Sequence, residues 1–159
     1  MLEHMKYLRA ANEVAKKARE SGNTPFGAVL VDEDGNILME QGNAEALLKD
    51  RTAHAERVLA SRASQSYGPE VLKKCTLYTT VEPCCMCTGA IYWANIGHIV
   101  FGLTESDLLK LTGSDEKNPT FDISSRTILS RGQKDITVEG PFEEIQEEVK
   151  EVHKGFWNN

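Results

Sequence analysis

Three of the four cysteines fall within four positions, in Glu82-Pro83-Cys84-Cys85-Met86-Cys87. Two thiols three residues apart at the start of a helix can share one metal ion. Free N–H groups at such a helix mouth favour the thiolate form, and Pro83 rigidifies the entry. Two sulfurs are half a metal site. The best candidate for the other half is His54-Ala55-Glu56, an imidazole two positions before a carboxylate. Catalytic zinc takes three protein ligands and keeps a fourth position open. His54, Cys84 and Cys87 therefore predict one Zn2+ per chain, with a water or hydroxide as fourth ligand. Glu56 is the general base expected beside it: water on zinc has a pKa near 7, and a nearby carboxylate can draw off its proton and pass it on. Residues i and i+2 of a regular helix point to opposite sides, so His54 must stand at the helix mouth for the two side chains to converge. A closed structural zinc ribbon would need a fourth ligand, ideally a second Cys-x-x-Cys, which the sequence lacks. Cys75 could serve only if its strand brought it to the metal. Cys85 is expected to pack against the core, and His98 to lie at the surface or an edge.

The elements that must position these groups read as a mixed α/β chain. Residues 5–21 form a helix with Leu8, Ala11, Ala15 and Ala18 on one face and Gly22 as its stop. Residues 26–31 are a buried strand, Asp34-Gly35 a hairpin turn and 37–42 the return strand. After a loop over 43–51 a helix starts at His54 and runs to about 64. A third strand over 75–80 leads into a helix over 84–94, and a fourth strand covers 96–102. Next come a short helix over 105–111, a polar loop over 113–119, a helical turn over 124–129 and a last strand over 136–139. Pro141 suits the first position of a C-terminal helix over about 141–154, with Phe142, Ile145, Val149, Val152 and Phe156 as its apolar stripe. This order predicts an α/β fold: a three-layer α-β-α sandwich on a five-stranded mixed sheet, one domain over 1–159.

The length suits one domain with a real core. The N-terminus lacks a signal-peptide pattern, and no stretch is apolar enough for a membrane span. A cytoplasmic protein without membrane attachment is expected, and crowded cysteines there suit metal or catalysis better than disulfides. The net charge is −6. Residues 135–154 carry seven acids against two bases, a net −5. With no basic block, nucleic acid is not the expected partner.

His-x-Glu followed by Pro-Cys-x-x-Cys is the signature of zinc deaminases that act on nucleobases. The chain resembles the cytidine deaminase-like superfamily along nearly its whole length: at Pro25-Phe26-Gly27-Ala28, Gly42-Asn43, Thr52-Ala53-His54-Ala55-Glu56, and from Leu77 through the cysteines to Thr88-Gly89-Ala90-Ile91. The resemblance implies a five-stranded sheet between helices, with zinc between two helix N-termini. It also implies a homodimer, whose interface the C-terminal helix could reach. It assigns His54, Cys84 and Cys87 to the metal and Glu56 to proton transfer. In the substrate site it implies Phe26, Asn43 on the base, the Ala55 N–H on an exocyclic oxygen or ring nitrogen, and the Glu82 carbonyl on the departing amine. Arg51 departs from the proline of many relatives and sits at the lip of the pocket.

Within the superfamily, Ile91-Tyr92-Trp93-Ala94 resembles bacterial guanine deaminases. There Trp93 would be an aromatic wall, and Asp115 falls where those enzymes place an acid that reads the purine. Trp93 also suits a core aromatic, and Asp115 an ordinary loop acid. Thr88-Gly89-Ala90-Ile91 is shared with yeast-type cytosine deaminases, whose terminal aromatics close over the base. Phe156 and Trp157 could do so here, or could anchor the last helix. The tRNA adenosine deaminases share the core motifs but usually carry a basic C-terminus, where this chain is acidic. The expectation is hydrolytic deamination of a small amino-heterocycle: guanine first, with cytosine, an amino-triazine or a creatinine-like ring as alternatives. A non-catalytic scaffold stabilised by zinc is the reading from another class.

Overall fold

The computed structural model describes residues 2–157. Helix α1 (His4–Glu20) is followed by the hairpin β1 (Gly27–Val31) and β2 (Ile37–Gly42), then the single turn α2 (Glu45–Leu48). Next come α3 (Ala55–Ser66), the turn α4 (Pro69–Leu72), β3 (Thr76–Val81), α5 (Cys85–Ala94) and β4 (His98–Leu103). The chain ends with α6 (Glu105–Thr112), α7 (Ser125–Leu129), β5 (Thr137–Glu139) and α8 (Gln146–His153). The strands make one sheet in the order β2-β1-β3-β4-β5. The hairpin and the β1–β3 pair are antiparallel, and β3–β4 and β4–β5 are parallel. The expected five-stranded mixed sheet is therefore present, with α2 added in a stretch read as a loop and α4 in one given no element.

Residues of β1 and β3 are buried on both faces, and their pleat splits the core in two. Val29, Val31 and Tyr78 face α1 and α8, together with Leu8, Ala11 and Val149. Ala28, Leu30 and Leu77 face α3 and α5, together with Leu59, Ala63 and Ile91. At roughly 1.5–3 kcal/mol per fully buried large apolar side chain, these two layers are the main stabilising term. Gly27 sets how closely β1 approaches α1. A Cβ there would stand 2.5 Å from both the Ala11 oxygen and the Ala15 nitrogen.

The C-terminal stripe is used inside the chain. Ile145, Val149 and Val152 are buried against α1 and the sheet, while the acids beside them at 143, 144, 147, 148 and 151 are exposed. Pro141 is not at the first helical position. The Gly140–Pro141 peptide is cis, and the Phe142 N–H bonds the Gly102 oxygen at 3.2 Å. That bond keeps the chain extended beyond β5, so the helix begins later, through a 3₁₀ turn at Glu143–Ile145. No helix among the described residues is long and apolar enough to cross a membrane.

Candidate active site

His54 and Cys84 are both N-cap residues with extended backbone (φ −65°, ψ 151° and φ −66°, ψ 174°), and neither side chain caps its own helix. This meets the geometric condition for convergence. His54 lies just outside α3 and turns one way, while Glu56, in the first turn, turns into the same space. The turn before His54 is held by the Asp50 carboxylate, which accepts from the Thr52 N–H at 2.8 Å and the Thr52 hydroxyl at 2.7 Å. Because α3 packs on α5, two helix N-termini meet at one point and direct free N–H groups and positive dipole ends to it. That point lies at the carboxyl end of the parallel pair β3–β4, where sheets of this type bind ligands.

The ligand atoms of His54, Cys84 and Cys87 lie within 4.8 Å of one another. His54 Nδ1 is 3.6 Å from each of the two sulfurs. A tetrahedral zinc with Zn–S of about 2.3 Å and Zn–N of about 2.0–2.1 Å requires an N···S separation of about 3.6 Å. The residues therefore fit zinc. The electrostatics agree. Cys84 falls to about 4, chiefly because the Cys87 thiol donates to it and His54 does too, while Cys87 is pushed up by giving that bond and by burial. One proton serves two sulfurs, and a cation placed between them would displace it. His54 is raised to about 8 by its bond to Cys84, with Glu56 and Glu45 contributing. A bound metal requires it neutral.

Glu56 is buried and is pushed up to about 7 by burial and by the Cys84 charge. A carboxyl poised there can both take and return a proton near neutrality. It opens, with His54 and Cys84, into a cavity of about 490 Å³. Phe26, Asn43 and Glu82 line this cavity, and Arg51 stands at its exposed rim. Asn43 is 4% exposed. Its Nδ2 donates to Glu45 at 2.8 Å and its Oδ1 accepts from the Glu45 N–H at 3.0 Å. The Glu82 carboxylate is occupied: it accepts from the Glu105 N–H at 3.1 Å and from the Ser125 N–H and hydroxyl at 2.8 Å each. Ala55 is buried in the first turn of α3 and does not line the cavity.

Other expected residues lie elsewhere. Trp93 is 80% exposed, neither core nor cavity wall. Two positions after the buried Ile91, it points about 200° away on a 3.6-residue helix. Its ring meets Tyr92 edge-on, with the Lys134 ammonium 5.7 Å away. Asp115 is buried but outside the cavity lining, and its carboxylate accepts from the Lys117 N–H at 2.8 Å within its own loop. Phe156 and Trp157 do not line the cavity; they back it from the same chain. Trp157 and His153 pack on Phe26 at 6.1 and 5.2 Å, and Phe156 lies under Lys117 at 4.8 Å. Cys85, expected in the core, is half-buried on the cavity wall, while Cys75 is buried far from the metal ligands with its thiol donating to the Val71 oxygen. His98 bonds Thr137 across the β4–β5 pair.

Glu45, Glu105, Leu108 and the stretch 116–121 line the cavity and were not singled out from the sequence. The Glu45 carboxylate is 3.7 Å from His54 Nε2, so it orients both Asn43 and the ligand imidazole. Glu105 is the first residue of the helix after a parallel strand, a placement that could have marked it.

The chain is 42% identical over 152 residues to a probable cytosine deaminase of Schizosaccharomyces pombe, covering 96% of this chain and 91% of that one. It is 42% identical over 100 residues to a tRNA-specific adenosine deaminase of Haemophilus influenzae, which spans 63% of this chain and only 58% of that protein. The structure of a guanine deaminase from Nitrosomonas europaea superposes with a TM-score of 0.74 at 22% identity, covering 96% of this chain and 86% of that one, which is a likeness of fold. Residues 1–103 match the model of the cytidine and deoxycytidylate deaminase zinc-binding region. A match that includes all three metal ligands and the buried acid makes the chain a member of that deaminase family, a zinc-dependent hydrolase of C–N bonds.

Proposed function

We propose that the substrate is a free nucleobase-sized amino-heterocycle, with cytosine ahead of guanine. The observation that carries this is the position of the C-terminal aromatics. Trp157 and His153 fold back behind Phe26 within one chain and close the cavity from behind. The two residues that pointed to guanine, Trp93 and Asp115, stand outside the cavity. The whole-length likeness to a probable cytosine deaminase supports the same order. A cavity of about 490 Å³ suits a small ring, and the acids around it disfavour phosphates. RNA is therefore not the proposed partner. Free thiols at all four cysteines suit a reducing, cytoplasmic setting. The 80% exposed Trp93 on α5 supports a homodimer through that helix.

Bound zinc supplies a water polarised enough to attack at neutral pH. Glu56 takes one proton of the attacking water and gives it to the ring nitrogen, then takes the second from the hydroxyl left on the carbon and gives it to the departing amine. The carbon loses its amine as ammonia and keeps the water's oxygen. The spare N–H of Asn43, fixed by Glu45, orients the ring. The Glu82 carbonyl, on the cavity lining, holds the leaving amine.

The test is ammonia release from cytosine, guanine, adenine, cytidine and a tRNA anticodon stem-loop. Glu56→Gln should keep its zinc and lose on the order of 10²–10⁴ in kcat. Unchanged turnover in that variant, or activity confined to the RNA, overturns the reading.

A further inference from the structure

We infer that Glu105 is a specificity-determining residue whose carboxyl pairs with an N–H-bearing edge of the substrate ring. The inference rests on the deaminase reading of the cavity and goes beyond the motif residues, since Glu105 lies outside the matched stretch 1–103.

Two buried carboxyls stand side by side here, and their surroundings differ. Glu82 is satisfied by three donors from α6 and α7, which makes it a staple between those helices. Glu105 is 4% exposed and lines the cavity, yet among the described residues its carboxyl accepts or donates no hydrogen bond. Its backbone N–H is used on Glu82, and Thr104 Oγ1 caps α6 by accepting from the Asp107 N–H at 3.0 Å. Neither cation of the cavity, Arg51 nor Lys117, forms an ion pair with it among the described residues. The Glu105 oxygens open into the cavity and meet no protein donor among the described residues, and a carboxyl held away from bulk water in this way is costly unless a ligand completes it.

The position is suitable. Glu105 follows β4 at the carboxyl end of the parallel pair and lines the same cavity as His54. Its field is shared with Cys84 and Glu56, which push its carboxyl up after burial has done so. Glu45, Glu56 and Glu116 also line the cavity, so a ring bearing phosphate is repelled and a neutral ring offering N–H groups is drawn in. A carboxyl pushed up in this way presents an acceptor oxygen and an O–H, which match an N–H and a neighbouring acceptor on a heterocycle edge. A site built to bond a polar edge rejects analogues that lack it far better than an apolar wall does.

The experiment compares the zinc-loaded wild type with Glu105→Leu and Glu105→Gln. It measures zinc content, thermal midpoint with and without cytosine, and kcat and KM over cytosine, 1-methylcytosine, isocytosine and guanine. In Glu105→Leu, zinc content should be unchanged and the thermal midpoint should rise by several degrees, because an unpartnered acid is removed. Its kcat/KM on the preferred base should fall about 10- to 100-fold, mainly through KM, with narrowed discrimination across the panel. Glu105→Gln, which keeps hydrogen bonding, should recover to within about fivefold. A Glu105→Leu protein with unaltered kcat/KM, or with a lower midpoint, overturns the inference. If the wild type turns over none of the bases, the deaminase substrate reading fails instead. The midpoint of the apo variant then decides on Glu105 alone: a rise upholds the unpartnered acid and a fall overturns it.

Discussion

The cavity has two walls of different kinds. One is made by the mouths of α3 and α5 and carries His54, Glu56, Cys84 and Cys87, all inside the family match over 1–103. The other is built from residues beyond that match: Glu105, Leu108 and the stretch 116–121, backed by Phe156 and Trp157. The first wall is rigid because each of its groups sits in the cap or first turn of a helix packed against the sheet. The second hangs from helix ends and loops, held by the Glu82 staple and by aromatic packing on Phe26. Ligand atoms held 3.6 Å apart sit on packed helices, while the second wall is carried by helix ends and a loop, the kind of segment that most readily changes.

The comparison breaks most sharply at Cys87. Cys87→Ala should lose stoichiometric zinc by metal analysis and at least about a thousandfold in turnover, the scale of several kcal/mol of Lewis-acid assistance. Retained zinc and activity would mean that the first wall is misassigned. Glu105→Leu, by contrast, should keep the metal and lose substrate affinity, which separates the walls experimentally.

His153 gives a smaller effect, read through pH. Burial, with Arg19 nearby, holds it down to about 4 in the folded chain, against an ordinary 6.5. Its Nδ1 accepts from Trp157 at 3.0 Å, and its Nε2 is buried without a partner among the described residues. The unfolded chain binds the extra proton between these values, so the His153 contribution is complete above pH 6.5 and is lost as pH falls toward 4, up to about 3 kcal/mol. Glu56 and Glu105, raised in the folded chain from 4.5 to about 7 and about 9, act in the opposite direction, their contributions being complete below pH 4.5 and lost as pH rises through those values. The difference between wild type and His153→Gln in denaturant melts isolates the histidine. A difference that stays flat from pH 7 to pH 4.5 would remove it from the support of the second wall.

The smallest effect is expected at Trp93. Trp93→Ala should change KM for cytosine by no more than about twofold and lower the melting point little, as exposed substitutions do. Sedimentation of the variant should show weaker self-association. A large KM change would place the indole at a substrate site, contributed by a second chain.

The first wall was legible in the sequence because metal chemistry restricts residue types and spacing together. His-x-Glu and Pro-Cys-x-x-Cys specify donors, an acid and two helix mouths within a few positions each. The strands were legible by apolar runs, and the short turns α2 and α4 were not, since four residues carry no period. Phe26 and Asn43 could be placed by resemblance, but the partner that orients Asn43 could not. Glu45 matters only because a loop turns its carboxylate back onto Asn43 and toward His54.

Glu82 and Glu105 mark the boundary most clearly. In the sequence each is an acid beside a strand end, and nothing in composition or period separates them. Only the tertiary structure brings three donors to one carboxylate and leaves the other, among the described residues, without any in a cavity. Trp93 and Asp115 show the same limit from the opposite side, since their types suited a pocket that the helix phase and the loop turned them away from. The sequence by itself determined the three metal-site residues, the acid that stands beside them and the order of the elements, because these depend on local spacing and side-chain chemistry. Which side chains face the substrate depends on packing between segments far apart in the chain, and that was decided by the tertiary structure alone.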